Sequence, residues 1–204
     1  MRDAVNINNI PVSTPIVATY INGLYAVNEA AYVERFPTNK RVLIDVNGLA
    51  PGKALVRDWE TGDKSGSLES WVADAKPHGT AIVYCNRTTI AEVRLLTGSQ
   101  ILGKDYFLWV ATLDGSEYRG GTDGVTSGDV VACQTHTAWA GNIQLYDESV
   151  VYADWWLADP PPTREPISAL PGGSWLKDVR ISDGTWHAVS TNHGATWGHP
   201  DPGA

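Results

Sequence analysis

The chain has 204 residues and a mass of 22.1 kDa, enough for one full domain with a small appendix. Hydrophobic residues make up 43% and charged residues 19%, which supports an ordered core and excludes wholesale disorder. Fifteen basic and 23 acidic residues give a formal charge of −8, and 12 of the basic and 18 of the acidic residues precede residue 159. That balance argues against nucleic acid as the main partner, because a phosphate backbone calls for clustered positive charge. No apolar run reaches the roughly 18 residues of a membrane helix, so no membrane partner is expected. Met1-Arg2-Asp3-Ala4-Val5-Asn6 lacks the apolar stretch of a secretory signal. Two cysteines exclude a disulfide-stapled scaffold. Nine Trp and eight Tyr stand against two Phe, and such amphipathic rings suit sugar-binding surfaces and ordinary cores alike.

Eight short segments read as strands, each rich in apolar, β-branched or aromatic residues and bounded by Gly, Pro, Asn or Asp. In chain order they are Ala4–Ile7, Ile16–Ile21, Arg41–Asn47, Ala54–Glu60, Thr80–Asn86, Tyr106–Leu113, Asp129–His136 and Gln144–Val151. Helical patterns fall between only some of them. Asn28–Phe36 has Asn28 as N-cap and Pro37 as stop, and Ser67–Lys76 is ended by Pro77. Thr89–Thr97 carries Thr89-x-x-Glu92 as a capping box, with Gly98 just past its end. The last three strands are joined by Gly-rich segments with no helical period. Strands alternating with helices predict parallel pairing. The expected fold is α/β: an irregular TIM-like barrel of about eight strands with an incomplete helical coat, over residues 1–158. The proline-rich stretch Asp159-Pro160-Pro161-Pro162-Thr163-Arg164-Glu165-Pro166 sets a boundary. Residues 159–167 are then a linker, and residues 168–204 a small Trp-rich β tail.

In a parallel barrel the active site lies at the C-terminal ends of the strands. Several candidate strands end in reactive residues: Asp45; Asp58 and Glu60; Tyr84, Cys85 and Asn86; Gln134 and His136; and Asp147 lies within the last. Asp3 sits at or just before the first. Residues two apart on a strand share a face, so Ala54, Val56, Asp58 and Glu60 form one inward row, apolar first and acidic at the mouth. Two carboxyls about 6–7 Å apart along such a row can be tuned differently, one protonated and one ionised. Glycosidic bond cleavage needs that division of labour. The plainer alternative is a solvated strand end leading into the turn at Thr61-Gly62-Asp63. Asp45 is either a fifth carboxylate at the rim or a turn cap. Cys85 and Cys133 read as buried thiols, and no His/Cys spacing reads as a metal site.

The order of Asp3, Arg57-Asp58-Trp59-Glu60, Val83-Tyr84-Cys85-Asn86, Leu108-Trp109-Val110-Ala111, Cys133-Gln134-Thr135 and Tyr146-Asp147-Glu148-Ser149-Val150-Val151 resembles glycoside hydrolase family 25 lysozymes. The similarity is greater to the family-25-like domains of actinobacteria and their phages. It spans about residues 1–156. It implies an irregular eight-strand barrel whose last strands lack helices. The implied activity is cleavage of the β-1,4 bond between N-acetylmuramic acid and N-acetylglucosamine in peptidoglycan, with no cofactor. By the same resemblance Glu60 is the proton donor, Asp58 orients the N-acetyl group or stabilises the cationic centre, and Asp147 and Asp3 complete an acidic cluster. The resemblance also implies that Tyr84, Trp109 and Gln134 shape the sugar pocket, and Asp45 and Asn86, at strand ends on the same rim, are further substrate-binding candidates. Arg57 and Trp59 depart from the family's apolar and small residues, on the face opposite the acid pair. Either Asp3 or Asn6 fills the first acidic position.

The resemblance implies a phage lysin or virion-associated wall-degrading protein, made in the host cytoplasm and acting at the cell wall or carried in the virion. Its partners are peptidoglycan glycan strands. The alternative is an inactive lysozyme-like barrel serving as a wall-binding or structural module of a phage particle. In the tail, Trp175, Trp186 and Trp197 recur at intervals of eleven, separated by turn signals, which reads as repeated hairpins. Ser190-Thr191-Asn192-His193-Gly194-Ala195-Thr196-Trp197 also resembles the Asp-box turn of sialidase-like propellers. About 40 residues rarely fold alone, so the tail is expected to pack on the body, on another copy or on a virion protein.

Overall fold

A computed structural model describes residues 1–60, 64–112, 114–122 and 124–153, and the backbone of three strands beyond them. The chain divides into two compact units, Met1–Ala158 and Asp159–Ala204. The first is a closed barrel of eight strands with three α-helices. Its strands are β1 (Arg2–Asp3), β2 (Ile16–Tyr20), β3 (Lys40–Asp45), β4 (Val56–Asp58), β5 (Ile82–Asn86), β6 (Phe107–Ala111), β7 (Val130–Ala140) and β8 (Ile143–Val151). Its helices are α1 (Glu29–Arg35), α2 (Leu68–Ala75) and α3 (Ile90–Leu96). Among the described residues, no helix is long and apolar enough to cross a membrane.

The irregular α/β barrel with an incomplete helical coat is therefore present, with differences of physical origin. The first strand is two residues long and lies before Ala4–Ile7. The Asn6 side chain accepts from Asn8 N, turning Ile7–Asn9 into a short 3₁₀ helix in place of a strand. Pairing is parallel from β1 to β7, but β8 runs antiparallel to both β7 and β1. Only Gly141 and Asn142 separate β7 from β8, and a two-residue loop with Gly141 at φ +61° can only return the chain antiparallel. Asn28 and Ser67 cap α1 and α2, each accepting from the backbone N–H three residues on. The capping box at α3 does not form. Thr89 Oγ1 donates to Asn86 O, while Glu92 accepts from Lys64 and from Trp59 Nε1.

Period-two alternation sorts the barrel residues into two faces. Ala18, Val42, Ile44, Val56, Ile82, Tyr84, Trp109 and Ala111 fill the interior. Outward residues such as Val83, Cys85, Leu108 and Val110 pack under α2 and α3 with Leu68, Trp71, Val72 and Val93. A third cluster joins Val17 to Tyr32 and Phe36 around α1. Burial pushes the Cys85 thiol up to about 12, so this cysteine is a packing residue and not a nucleophile.

The outward face beside β4 is polar, and it holds the strand end. Asp45 is fully buried and points away from the barrel interior, which corrects its reading as a sugar-binding rim carboxylate. Its carboxylate accepts from Gly48 N (2.7 Å), Leu49 N (3.2 Å), Ala50 N (2.8 Å), Asn22 Nδ2 (2.7 Å) and Trp71 Nε1 (2.8 Å). It is a turn cap that ties the β3–β4 loop to α2. Beside it, the buried Arg57 guanidinium donates to Asp45 O (3.0 Å), Val46 O, Asp58 O (2.7 Å) and Ser65 O (2.8 Å). Gly48 sits at φ +71°, and a Cβ there would lie 3.2 Å from Arg57 Nε, so both backbone and space favour glycine.

In the second unit, β9 (Ser168–Ala169), β10 (Trp175–Ile181) and β11 (Gly184–Ser190) form an antiparallel sheet in the order β11-β10-β9. The expected hairpin between Trp175 and Trp186 is present. The linker 159–167, Trp197 and the Asp-box-like turn lie outside the described residues.

Burial alone would raise the Asp45 pKa, but the hydrogen bonds from Asn22, Ala50, Trp71 and Leu49 outweigh it and hold the carboxyl below its ordinary value. The stability this contributes is present above the ordinary aspartate range and is lost as pH falls through the lowered value. Asp45→Ala is expected to cost about 3 kcal/mol in urea unfolding at neutral pH, since it strands several buried donors. The gap from wild type should narrow in acid.

Candidate active site

The antiparallel return of β8 decides where the acids meet. Asp147 lies at the middle of β8, yet the antiparallel run brings it level with Asp3 at the C-terminal end of β1. In the register between β1 and β8, Arg2 pairs with Glu148 and Asp3 with Asp147. The outward pair is attractive, with Arg2 Nη2 2.7 Å from Glu148 Oε1. The inward pair is two carboxyls on directly opposed residues, whose Cβ atoms such a register holds about 5 Å apart.

Asp3 is 3% exposed and pairs with Asp147, whereas Asn6 is exposed and caps the 3₁₀ helix. Asp3 Oδ2 accepts from Tyr20 Oη at 3.3 Å, and its buried Oδ1 has no hydrogen-bond partner among the described residues. Burial first, then the charge of Asp147 and more weakly those of Asp58 and Glu60, hold the Asp3 carboxyl well above the ordinary range. Each of the other three acids of the expected cluster is thus close enough to act on Asp3. Asp147 is also raised, chiefly by burial, although it accepts from Thr137 Oγ1 (2.5 Å) and Gln144 Nε2 (2.9 Å).

Asp58 ends β4 with its side chain on the inward row above Val56, and it is 3% exposed. Glu60 follows just beyond the strand and is half-buried. Arg57 and Trp59 fix this segment from behind. Arg57 holds the Asp58 carbonyl, Trp59 N donates to Tyr84 O at 2.8 Å, and the Trp59 ring is buried with Nε1 on Glu92. Arg57 also lies over the Trp59 ring, 5.3 Å from its centroid.

Tyr84 rises from β5 beside the acids. Its hydroxyl donates to Gln134 Oε1 at 2.6 Å, a pairing of two expected pocket residues. Burial and then the Glu60 charge push its pKa well up, so it stays a hydrogen-bond donor. Asn86 stands one step nearer the mouth on the same row and is half-buried. Trp109 is 0% exposed. Its Nε1 donates to Ser149 Oγ at 3.0 Å and its ring meets Tyr84 edge-on at 4.8 Å. It is fully buried in the barrel interior and has no exposed surface for a ligand to touch, which corrects its expected direct role. Among the described residues, no group of three or more His, Cys, Asp or Glu side chains is placed to hold a metal ion.

Tyr20, Thr137 and Gln144 belong to the site and were not singled out in the sequence. Tyr20 was accessible: Ile16, Ala18 and Tyr20 form the inward row of β2, so it ends its strand as Asp58 ends β4. Thr137 lies beyond the expected end of its strand at His136 and meets Asp147 because β7 continues to Ala140, while Gln144 opens the expected last strand and reaches Asp147 along it.

A raised aspartate favours folding at low pH and costs stability as pH climbs from about 4 to its folded-state value. Asp3→Asn keeps the shape and an acceptor for Tyr20 but removes that cost. It is expected to raise the melting temperature at neutral pH, by about 2–4 °C for each kcal/mol recovered. The difference from wild type should vanish below about pH 4. Thermal melts across pH 3–8 check this.

Comparison with family models, with curated proteins and with solved structures gave no match, so the functional reading rests on these residues.

Proposed function

We propose that the barrel is a muramidase-like glycoside hydrolase acting on the β-1,4 bond between N-acetylmuramic acid and N-acetylglucosamine in peptidoglycan. The reading places it as a phage lysin or a virion-associated wall-degrading protein. The observation that carries it is the convergence of Asp3, Asp58, Glu60 and Asp147 at one end of a closed barrel, around a buried acid that is costly to ionise. Carboxyls with environments this unequal are how one site supplies both a proton and a negative charge.

In the proposed reaction Glu60, at the half-buried outer edge, protonates the glycosidic oxygen as the bond to the anomeric carbon breaks. Asp58, one side-chain step deeper, steadies the N-acetyl group as its oxygen attacks that carbon, or screens the developing positive charge. Water then completes hydrolysis, with Glu60 taking a proton from it. Asp147 adds negative potential beside the reacting centre where it is ionised, and Asp3, kept from ionising by burial and by the Asp147 charge, lines the site as a neutral carboxyl. Tyr84 and Gln134 hold each other and offer fixed polar atoms at the pocket wall.

The test is release of reducing ends from purified actinobacterial peptidoglycan. Glu60→Gln is expected to lose activity by a factor of about 100 or more, as removal of an essential acid does, while melting close to wild type. A wild-type protein that sediments with the wall but releases no ends would replace this reading with a wall-binding module.

A further inference from the structure

The hairpin of β7 and β8 runs beyond the barrel, and its two faces differ. Thr137 pairs with Asp147, and both side chains turn inward, as their hydrogen bond shows. The next inward pair is Trp139 with Gln144, and Gln144 Nε2 reaches back to Asp147 Oδ2 at 2.9 Å. Cross-strand partners share a face, so Trp139 lies on the face that continues the acid-lined interior. Its side chain is nevertheless open to solvent, at 59% exposure. An indole left open above a polar site offers a flat apolar face and an N–H to a ligand that enters from solvent.

A second ring stands on the other side of the same acids. In the barrel order β8-β1-β2, the loop after β2 lies across β1 from the hairpin. That loop carries Tyr25, 48% exposed, whose ring lies 6.5 Å from that of Tyr20, the residue bonded to Asp3. Aromatic faces thus flank Asp3 and Asp147 at the mouth.

We infer that Trp139, with Tyr25 opposite, is a stacking platform for a pyranose ring of the glycan strand, next to the sugars that meet Glu60 and Asp58. A pyranose presents a face of C–H groups, which suits an indole, and a rim of hydroxyls, which suits Gln144 and the carboxylates below. This rests on the glycan-hydrolase reading and adds to it a substrate-positioning residue. The platform explains why a hairpin tip with few packing partners keeps a tryptophan.

The test uses the full chain carrying Glu60→Gln, titrated calorimetrically with soluble, uncrosslinked peptidoglycan glycan strands. Addition of Trp139→Ala is expected to weaken binding about ten-fold, and Trp139→Phe to recover most of it. Melting temperatures should stay unchanged, because the ring is exposed. In the protein with Glu60 intact, Trp139→Ala should raise KM more than it lowers kcat. Glycan binding unaffected by Trp139→Ala overturns the platform, and if wild type still releases reducing ends the hydrolase reading survives it. Binding that falls with Trp139→Ala in a protein that releases no ends keeps the platform and overturns the hydrolase reading. No binding by the Glu60→Gln protein and no release by wild type overturns both.

Discussion

Asp3 and Asp147 face each other across the seam where the barrel closes, and ionising both there is costly. The seam has an outer and an inner side with opposite electrostatics. Outside, Arg2 and Glu148 attract, and Arg2 also lies over the Tyr146 ring. Inside, two carboxyls oppose each other with Asp58 and Glu60 nearby. Backbone pairing of β1 with β8 closes the barrel here, with the attractive pair on its outer side and the opposed carboxyls on its inner side. A fold that keeps such a pair gives up stability, and that exchange is characteristic of sites where chemistry needs unequal carboxyls.

The rest of the molecule keeps that arrangement rigid. β4 is only three residues long, too short to fix its end by ladder bonds alone. Arg57 supplies the missing restraint by gathering carbonyls from the β3–β4 loop, from Asp58 and from Ser65. Asp45 closes the same loop from the other side and fastens it to Trp71 of α2. Two buried charged side chains behind β4 therefore hold the acids in front of it. In the barrel interior, Trp109 and Ser149 join β6 to β8, and Tyr84 and Gln134 join β5 to β7.

Much of this was legible in the sequence because period two is a strong signal. The row Ala54, Val56, Asp58 and Glu60 named the acidic mouth, and the uneven helix pattern named the incomplete coat. The role of Asp45 was not legible. A carboxylate at a strand end reads the same whether it faces the barrel or the loop, and only its five donors decide it. Trp109 misled in the same way, since an inward ring is buried or open to a ligand according to its depth. The direction of β8 was hidden in the Gly141-Asn142 pair, whose two-residue span dictates an antiparallel return. The reach of β7 past His136, which brings Thr137 and Trp139 over the acids, runs through register shifts that no sequence period announces.

The central claim is that the barrel mouth holds carboxyls that cannot all be ionised together. The most direct measurement is carbon-13 NMR titration of the aspartate and glutamate side-chain carboxyls between pH 3 and 9. The account predicts that Asp3 titrates well above the ordinary aspartate range of about 4 and that Asp147 is also raised. It predicts further that Asp147→Asn brings Asp3 down, because one opposing charge is gone. Asp3 and Asp147 both titrating at ordinary values, with no response of one to replacement of the other, would contradict it.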